Sequence, residues 1–295
     1  MQGGDVFSSR MDCIIAMSES PAVAIVILTW NGKADTLECL ASLRDVSYPS
    51  LQLIVVDNGS ADGTAPAVRQ SFPTATVIEN SLNLRFAGGN NVGIRDALNH
   101  GAEYILLLNN DTTVERDFLQ QMVEAALANK GVGMVGPKIK YYHDRQRLWY
   151  AGGRIEWWKG WISHIGVREI DHGQYDSRLA TDYVTGCCML VSRELLLKVG
   201  MLDESYFIYG EDADWCIRAA RAGFRLLYEP HAVIYHKLSV SAGGHFSWFK
   251  NWNKLKSNIR LMARYATFYH WLTIPFLMPI QIVKGFVSAR HGTGG

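Results

Sequence analysis

Three apolar runs, Val23–Thr29, Leu51–Val56 and Tyr104–Leu108, constrain this chain more than any other feature. Each is short, rich in β-branched residues or leucine, and stops at a polar cluster. The clusters are Trp30-Asn31-Gly32, Asp57-Asn58-Gly59-Ser60 and Asn109-Asn110-Asp111. Such runs read as buried strands ended by turns. Helical stretches separate them: Ala34–Leu43, with Leu37, Leu40 and Leu43 on one face, then Thr64–Ser71 and Asn90–Asn99. Thr76–Ile78 reads as a further short strand. Strands alternating with helices imply a parallel sheet wound by right-handed crossovers, and such sheets bind ligands at their carboxyl ends. Turn chemistry accounts for each polar loop singly. It does not account for an Asp after two of the apolar strands, so a site is expected there.

From about Lys138 the pattern changes. Tyr141, Tyr142, Trp149, Tyr150, Trp157, Trp158 and Trp161 crowd a glycine-rich stretch that reads as an antiparallel hairpin. A strand is expected at Val184–Val191 and helices at Arg193–Val199 and Asp212–Ala222, ended by Gly200 and Gly223. Short strands flank Pro230, at Leu226–Tyr228 and Ala232–Tyr235. With 48% hydrophobic and 19% charged residues in 295, wholesale disorder is excluded. Charges interrupt nearly every apolar run, which argues against a multi-span membrane protein. The five cysteines lack metal-finger spacing and suit a reducing cytosol.

Asp111, on a tight turn at a strand end, can hold a hard divalent cation. Read alone, it serves equally as a turn-former or as a cap for a helix over Thr113–Ala128. Glu211, Asp212 and Asp214 at a helix start suit the helix dipole, with Asp214 and Arg218 forming an i,i+4 pair. Crowded carboxylates also raise one another's pKa and can leave one as a general base. His231 and His236-Lys237, near Ser239 and Ser241, form a set suited to metal or phosphate. Gly88-Gly89-Asn90-Asn91-Val92-Gly93 does not have dinucleotide-fold spacing and has no acidic partner beyond it, so a dehydrogenase is rejected.

The order of these motifs resembles glycosyltransferase family 2, the inverting GT-A type, in its rhamnosyltransferase-like branch. Val23–Asn31, Val55 through Thr64, Asn83 with Gly88 through Gly93, and Leu107 through Asp111 carry the front half. Thr185-Gly186, Gly200 through Glu204, Gly210 through Asp214 and His236 through Ser241 carry the back half. The resemblance implies a GT-A fold: α/β, a Rossmann-like mostly parallel sheet flanked by helices, with a helical C-terminal appendage. It implies that Asp57 contacts a pyrimidine base with Thr29, Asn31 and Asn58 nearby. Asn83 and a Gly88-Gly89-Asn90 turn would flank ribose and diphosphate. Asp111 would bind Mn²⁺ or Mg²⁺ with His236. Asn109 stands where the family's first metal-motif acid would be, with Asn110 beside it. Asp212 would be the base and Glu211 would orient the acceptor. Trp157, Trp158 and Gly186 would form an acceptor platform, although the aromatic residues also suit a packed lid.

The implied activity is metal-dependent, inverting transfer of a sugar, L-rhamnose in this branch, from a dTDP- or UDP-type donor. The hydroxyl acceptor would be a glycan or a lipid-linked sugar in cell-surface polysaccharide synthesis. A catalytically silent nucleotide-sugar-binding partner subunit is the alternative. The expected organisation is an extension at 1–22, a GT-A domain at 23–245 with halves 23–137 and 138–245, and a tail at 246–295. After Glu229 there is no Asp or Glu, while eight Lys and Arg follow, against 21 basic and 28 acidic residues before that point. Two prolines, Pro275 and Pro279, argue against a straight spanning helix. The basic, aromatic tail therefore reads as an interfacial anchor on an anionic membrane surface, at the inner face of the cytoplasmic membrane. The alternative is a helical pair packed on protein. The acidic catalytic portion makes nucleic acid a poor partner.

Overall fold

The computed structural model describes residues 20–237 and 248–291, with side chains described at 252–282 in the second stretch. Strands β1 (Val23–Thr29), β2 (Leu51–Asp57), β3 (Thr76–Glu79) and β4 (Tyr104–Asn109) alternate with helices α1 (Lys33–Leu43), α2 (Thr64–Ser71) and α3 (Arg85–Asn99). Strand pairs β1–β2, β1–β4 and β2–β3 are parallel. Then come β5 (Thr112–Val114), α4 (Phe118–Leu127), β6 (Val132–Tyr141), β7 (Leu148–Tyr150), β8 (Gly153–Glu156), β9 (Trp161–His164), β10 (Leu179–Ala180) and β11 (Cys188–Ser192). Helices α5 (Arg193–Val199) and α6 (Glu211–Arg221), strand β12 (Arg225–His236) and helices α7 (Trp248–Tyr265) and α8 (Ile274–His291) complete the order. The main sheet runs β10-β12-β6-β11-β4-β1-β2-β3, with β5 on β12 and β7 on β6. β11 inserts antiparallel between β4 and β6, so the sheet is mixed and joins the front and back halves.

Register fixes where the polar strand ends meet. Thr29 lies opposite Asp57, and Leu28 opposite Asn109, so the three clusters share one edge. Behind them Ile25, Ile27, Ile54 and Ile105 are fully buried.

Three expectations are corrected. Gly88-Gly89-Asn90 is not a turn: the helix begins at Arg85 and contains all three. A Cβ at Gly89 would lie 2.4 Å from Leu28 Cδ1, and one at Gly93 2.4 Å from Val26 Cγ1. These glycines bring helix and strand close, and packing overrides their poor helix propensity. The expected helix from Thr113 instead opens with β5, paired to β12, and starts at Phe118. The two strands around Pro230 are one strand, β12, with its register shifted between Glu229 and Val233. A bulge accommodates the proline, which has no N–H for the ladder.

The tail's charge is also less outward than expected. Arg264 Nη1 lies 2.7 Å from Asp203 and 3.0 Å from the fully buried Asp214, and Tyr265 Oη donates to Asp214 at 2.6 Å. Arg260 donates to the Ser205 carbonyl at 2.7 Å, and Leu261 and Met262 are buried. Part of the charge asymmetry is thus neutralised within the molecule. Among the described residues no helix is long and apolar enough to cross a membrane.

Candidate active site

A cleft of about 450 Å³ opens where the back half meets the carboxyl edge of the sheet. Asn109 and Asp111 reach it from the end of β4, and His236 from the end of β12. His236 Nε2 lies 3.2 Å from Asp111 Oδ1, and both side chains are buried. His236 Nδ1, buried, has no hydrogen-bond partner. The indole of Trp149 stands edge-on between His236 and His164, 4.6 Å from each ring centre.

The opposite wall is the start of α6. Tyr209 and Gly210 have φ of 66° and 90°, two successive left-handed residues that aim the first helical turn into the cleft. For tyrosine this conformation is strained, a kind of strain that gathers at functional sites. Asp212 Oδ2 accepts from Tyr183 Oη at 2.6 Å and from the Gly186 N–H at 3.0 Å, and Oδ1 accepts from the Ala213 N–H at 2.8 Å. Burial holds the Tyr183 phenol well above its ordinary value, so it remains the donor. Glu211 is buried with Oε2 unpartnered. Burial first, and the Asp212 charge second, push its carboxyl up to about 8. His164 stacks on Tyr183 at 5.8 Å, and burial lowers its imidazole to about 4, which keeps it neutral.

Of the residues expected from sequence, Asn109, Asp111, Gly186, Glu211, Asp212 and His236 come together in this cleft. The residues expected on the nucleotide side lie along the adjacent strand ends and largely bond one another. Asn58 donates to Asn83 Oδ1 at 2.9 Å and to the Arg85 carbonyl, and accepts from Asn80 Nδ2 and the Leu84 N–H, both at 3.0 Å. Asn31 Oδ1 accepts from the Ala61 N–H at 2.8 Å, and Asp57 accepts from the Ser60 N–H at 3.0 Å. Asn110 Nδ2 donates to the Thr36 hydroxyl at 3.1 Å and to Thr29 at 3.3 Å. Asn90 donates to the Phe86 carbonyl within its own helix.

Trp157 and Trp158 do not line the cleft. They form the tip of the β8–β9 hairpin and pack on His270 of the tail, with ring centres 5.9 and 4.8 Å away. His231 is separate too, bonded to Glu229. Lys237 pairs with Asp35 and Glu38 at 2.8 and 2.5 Å, so it braces α1. Ser239 and Ser241 lie outside the described residues. Asp214 and Arg218 form the expected structural pair, 2.7 Å apart.

Sequence reasoning passed over Tyr183, His164 and Lys254 as cleft residues. Tyr183 stands two positions before Thr185-Gly186, which was the available clue. Lys254 was hidden in a segment read as facing outward.

The fold, a mixed and mostly parallel sheet with its polar strand ends at a carboxylate-lined cleft, defines a GT-A glycosyltransferase. The family model described as "Glycosyltransferase like family 2" matches residues 21–265, and the chain belongs to that family. An uncharacterized protein, y4gI of Sinorhizobium fredii, is 32% identical over 243 residues; the match covers 77% of this chain but only 26% of that protein. The N-acetylglucosaminyl-diphospho-decaprenol L-rhamnosyltransferase of Mycobacterium tuberculosis is 25% identical over 240 residues, covering 74% of this chain and 77% of the relative. Among solved structures, the mannosyltransferase PcManGT from Pyrobaculum calidifontis, in complex with GDP-Man and Mn²⁺, aligns with a TM-score of 0.62 at 22% identity. That alignment covers 94% of this chain and 77% of the other.

Proposed function

We propose that this glycosyltransferase moves L-rhamnose from a dTDP- or UDP-type nucleotide donor to a hydroxyl of a glycan or lipid-linked acceptor, with inversion. It works in cell-surface polysaccharide synthesis at the inner face of the cytoplasmic membrane. The observation that carries the reading is the Asp111–His236 pair in one cleft with Asp212 and Glu211. The M. tuberculosis relative's name supports rhamnose as the sugar.

Asp111 and His236 fit a divalent metal: one carboxylate and one imidazole, adjacent and buried, suffice where substrate phosphates and water supply the remaining ligands. No third His, Cys, Asp or Glu joins them among the described residues, so the site suits a metal that arrives with the diphosphate. The bound metal would neutralise charge on the leaving diphosphate. Asp212 removes the acceptor proton. An ionised carboxylate offers about four lone-pair sites, and Tyr183, Gly186 and Ala213 take three in a fixed orientation. The remaining site is left to accept the acceptor hydroxyl's proton. Glu211, neutral below about pH 8, keeps its proton to donate to a sugar oxygen. Single displacement from the side opposite the leaving group inverts the anomeric carbon.

Calorimetric titration with dTDP, UDP, GDP and CDP tests the donor side, with Mn²⁺ and then with EDTA. Metal-dependent binding of dTDP or UDP that Asp111→Ala abolishes is expected. No binding of any of the four overturns the donor assignment.

A further inference from the structure

The segment after α7 has two apolar faces, and only one is covered by protein. Ile274 and Met278, four apart, are buried against the hairpin tip, where Gly160 has room for no side chain beside them. The Thr273 hydroxyl donates to the Trp158 carbonyl at 2.6 Å and fixes the contact. On the side of α8 away from that contact, Phe276 and Ile280, one turn apart, are exposed, Phe276 at 74%; in the short 3-10 helix that precedes α8 (Phe268–Leu272), Phe268 and Leu272 are exposed as well, Phe268 at 75%. Tyr269 beside them and Trp158 at the hairpin tip are exposed too.

We infer that this outer face inserts into the headgroup boundary of an anionic lipid surface, and that apolar burial rather than charge carries the attachment. Aromatic and aliphatic side chains of this kind belong at a water–lipid boundary. Among the described residues, several cations that charge counting would assign to lipid make their contacts within the molecule instead. Arg260 and Arg264 bind the catalytic domain, Lys237 braces α1, and Lys254 sits 5.3 Å over the Tyr209 ring. A second copy of the chain fits this face poorly, because pairing would bring together two segments that lack any acid after Glu229. The face also lies near the chemistry. Strand β9 runs from the hairpin tip to His164 in the cleft, four residues or about 13 Å at strand rise. An acceptor sugar carried on a lipid headgroup would be within reach.

This inference rests on the membrane-side part of the proposed function and not on its donor. The test is flotation of the full chain with phosphatidylcholine vesicles, with and without phosphatidylglycerol, at low salt and at about 1 M salt, where screening acts within about 3 Å. Most wild-type binding should survive the high salt. Phe268→Ser combined with Phe276→Ser should weaken partition at least about tenfold in both conditions, with melting temperature and nucleotide titration unchanged. Undiminished binding of the double variant overturns the inference, as does complete release of wild type by salt. So does a wild-type dimer that the substitutions dissolve without any vesicle binding. Nucleotide titration of the same samples separates the two proposals, because a protein that floats but binds no nucleotide fails only the donor reading.

Discussion

The two polar regions of the molecule, the strand ends of the front half and the cleft of the back half, treat hydrogen bonds in opposite ways. At the front, Asn58, Asn83, Asn80, Asn31 and Asp57 bond to one another and to local backbone. In the cleft, Glu211 Oε2 and His236 Nδ1 are buried without partners. A buried polar atom without a partner is costly, and the cost is usually retained where chemistry needs it. The front region is thus a closed network of local hydrogen bonds. In the cleft, on the function proposed above, the two unpartnered groups gain partners when substrate arrives.

The sharpest way to break that contrast is Asp212→Asn. The amide keeps the shape of the carboxylate but cannot take a proton, so turnover measured as nucleoside diphosphate release should fall by about 10²–10⁴. Thermal stability should fall only modestly, as the amide nitrogen replaces one carboxylate oxygen and one accepted hydrogen bond is lost. Retained turnover would remove Asp212 as the base. A large fall in melting temperature would mean that its three hydrogen bonds frame the fold as those at the front do.

Asn58→Ala probes the other side. It would strand Asn80 Nδ2, the Leu84 N–H and the Arg85 carbonyl in a part-buried setting. The expected cost is about 2–3 kcal/mol, seen as a melting temperature lower by several degrees. Nucleotide affinity should fall with it, because Asn58 holds Asn83. Unchanged melting with weaker nucleotide binding would recast Asn58 as a ligand-facing group rather than part of a frame.

The same contrast explains what was legible in the sequence. β1, β2 and β4 are continuous apolar runs punctuated by polar turns, a local pattern, and their limits were read to within a residue. Asp57 and Asp111 follow those strands and were placed with them. The cleft is assembled from distant segments, so Tyr183, His164 and Lys254 carried no local mark. Gly88-Gly89 reads as a turn because glycine disfavours helix, whereas the close approach of Gly89 to Leu28 and Asn58 is tertiary. The tail's charge excess was plain, but its direction was not. Only packing reveals that Arg264 answers Asp203 and the buried Asp214.

The subtlest consequence of the contrast is a pH dependence of stability. The folded protein holds the Glu211 carboxyl up to about 8, against an ordinary value of 4.5. Between those values the native state keeps a proton that the unfolded chain has released, so stability falls as pH rises through the window. The contribution is fully present below 4.5 and lost once pH passes about 8. Glu211→Gln, neutral at every pH, lacks this slope. In EDTA, melting temperature measured from pH 5 to 9 should therefore fall more steeply for wild type than for Glu211→Gln, with the curves parallel above about 8. A constant difference between the two proteins across that range would mean that Glu211 is ionised in the fold and already partnered. Burial is the larger cause of the raised value and the Asp212 charge the smaller. Asp212→Asn should accordingly shallow the wild-type slope without abolishing it, and that partial effect separates burial from the neighbouring charge.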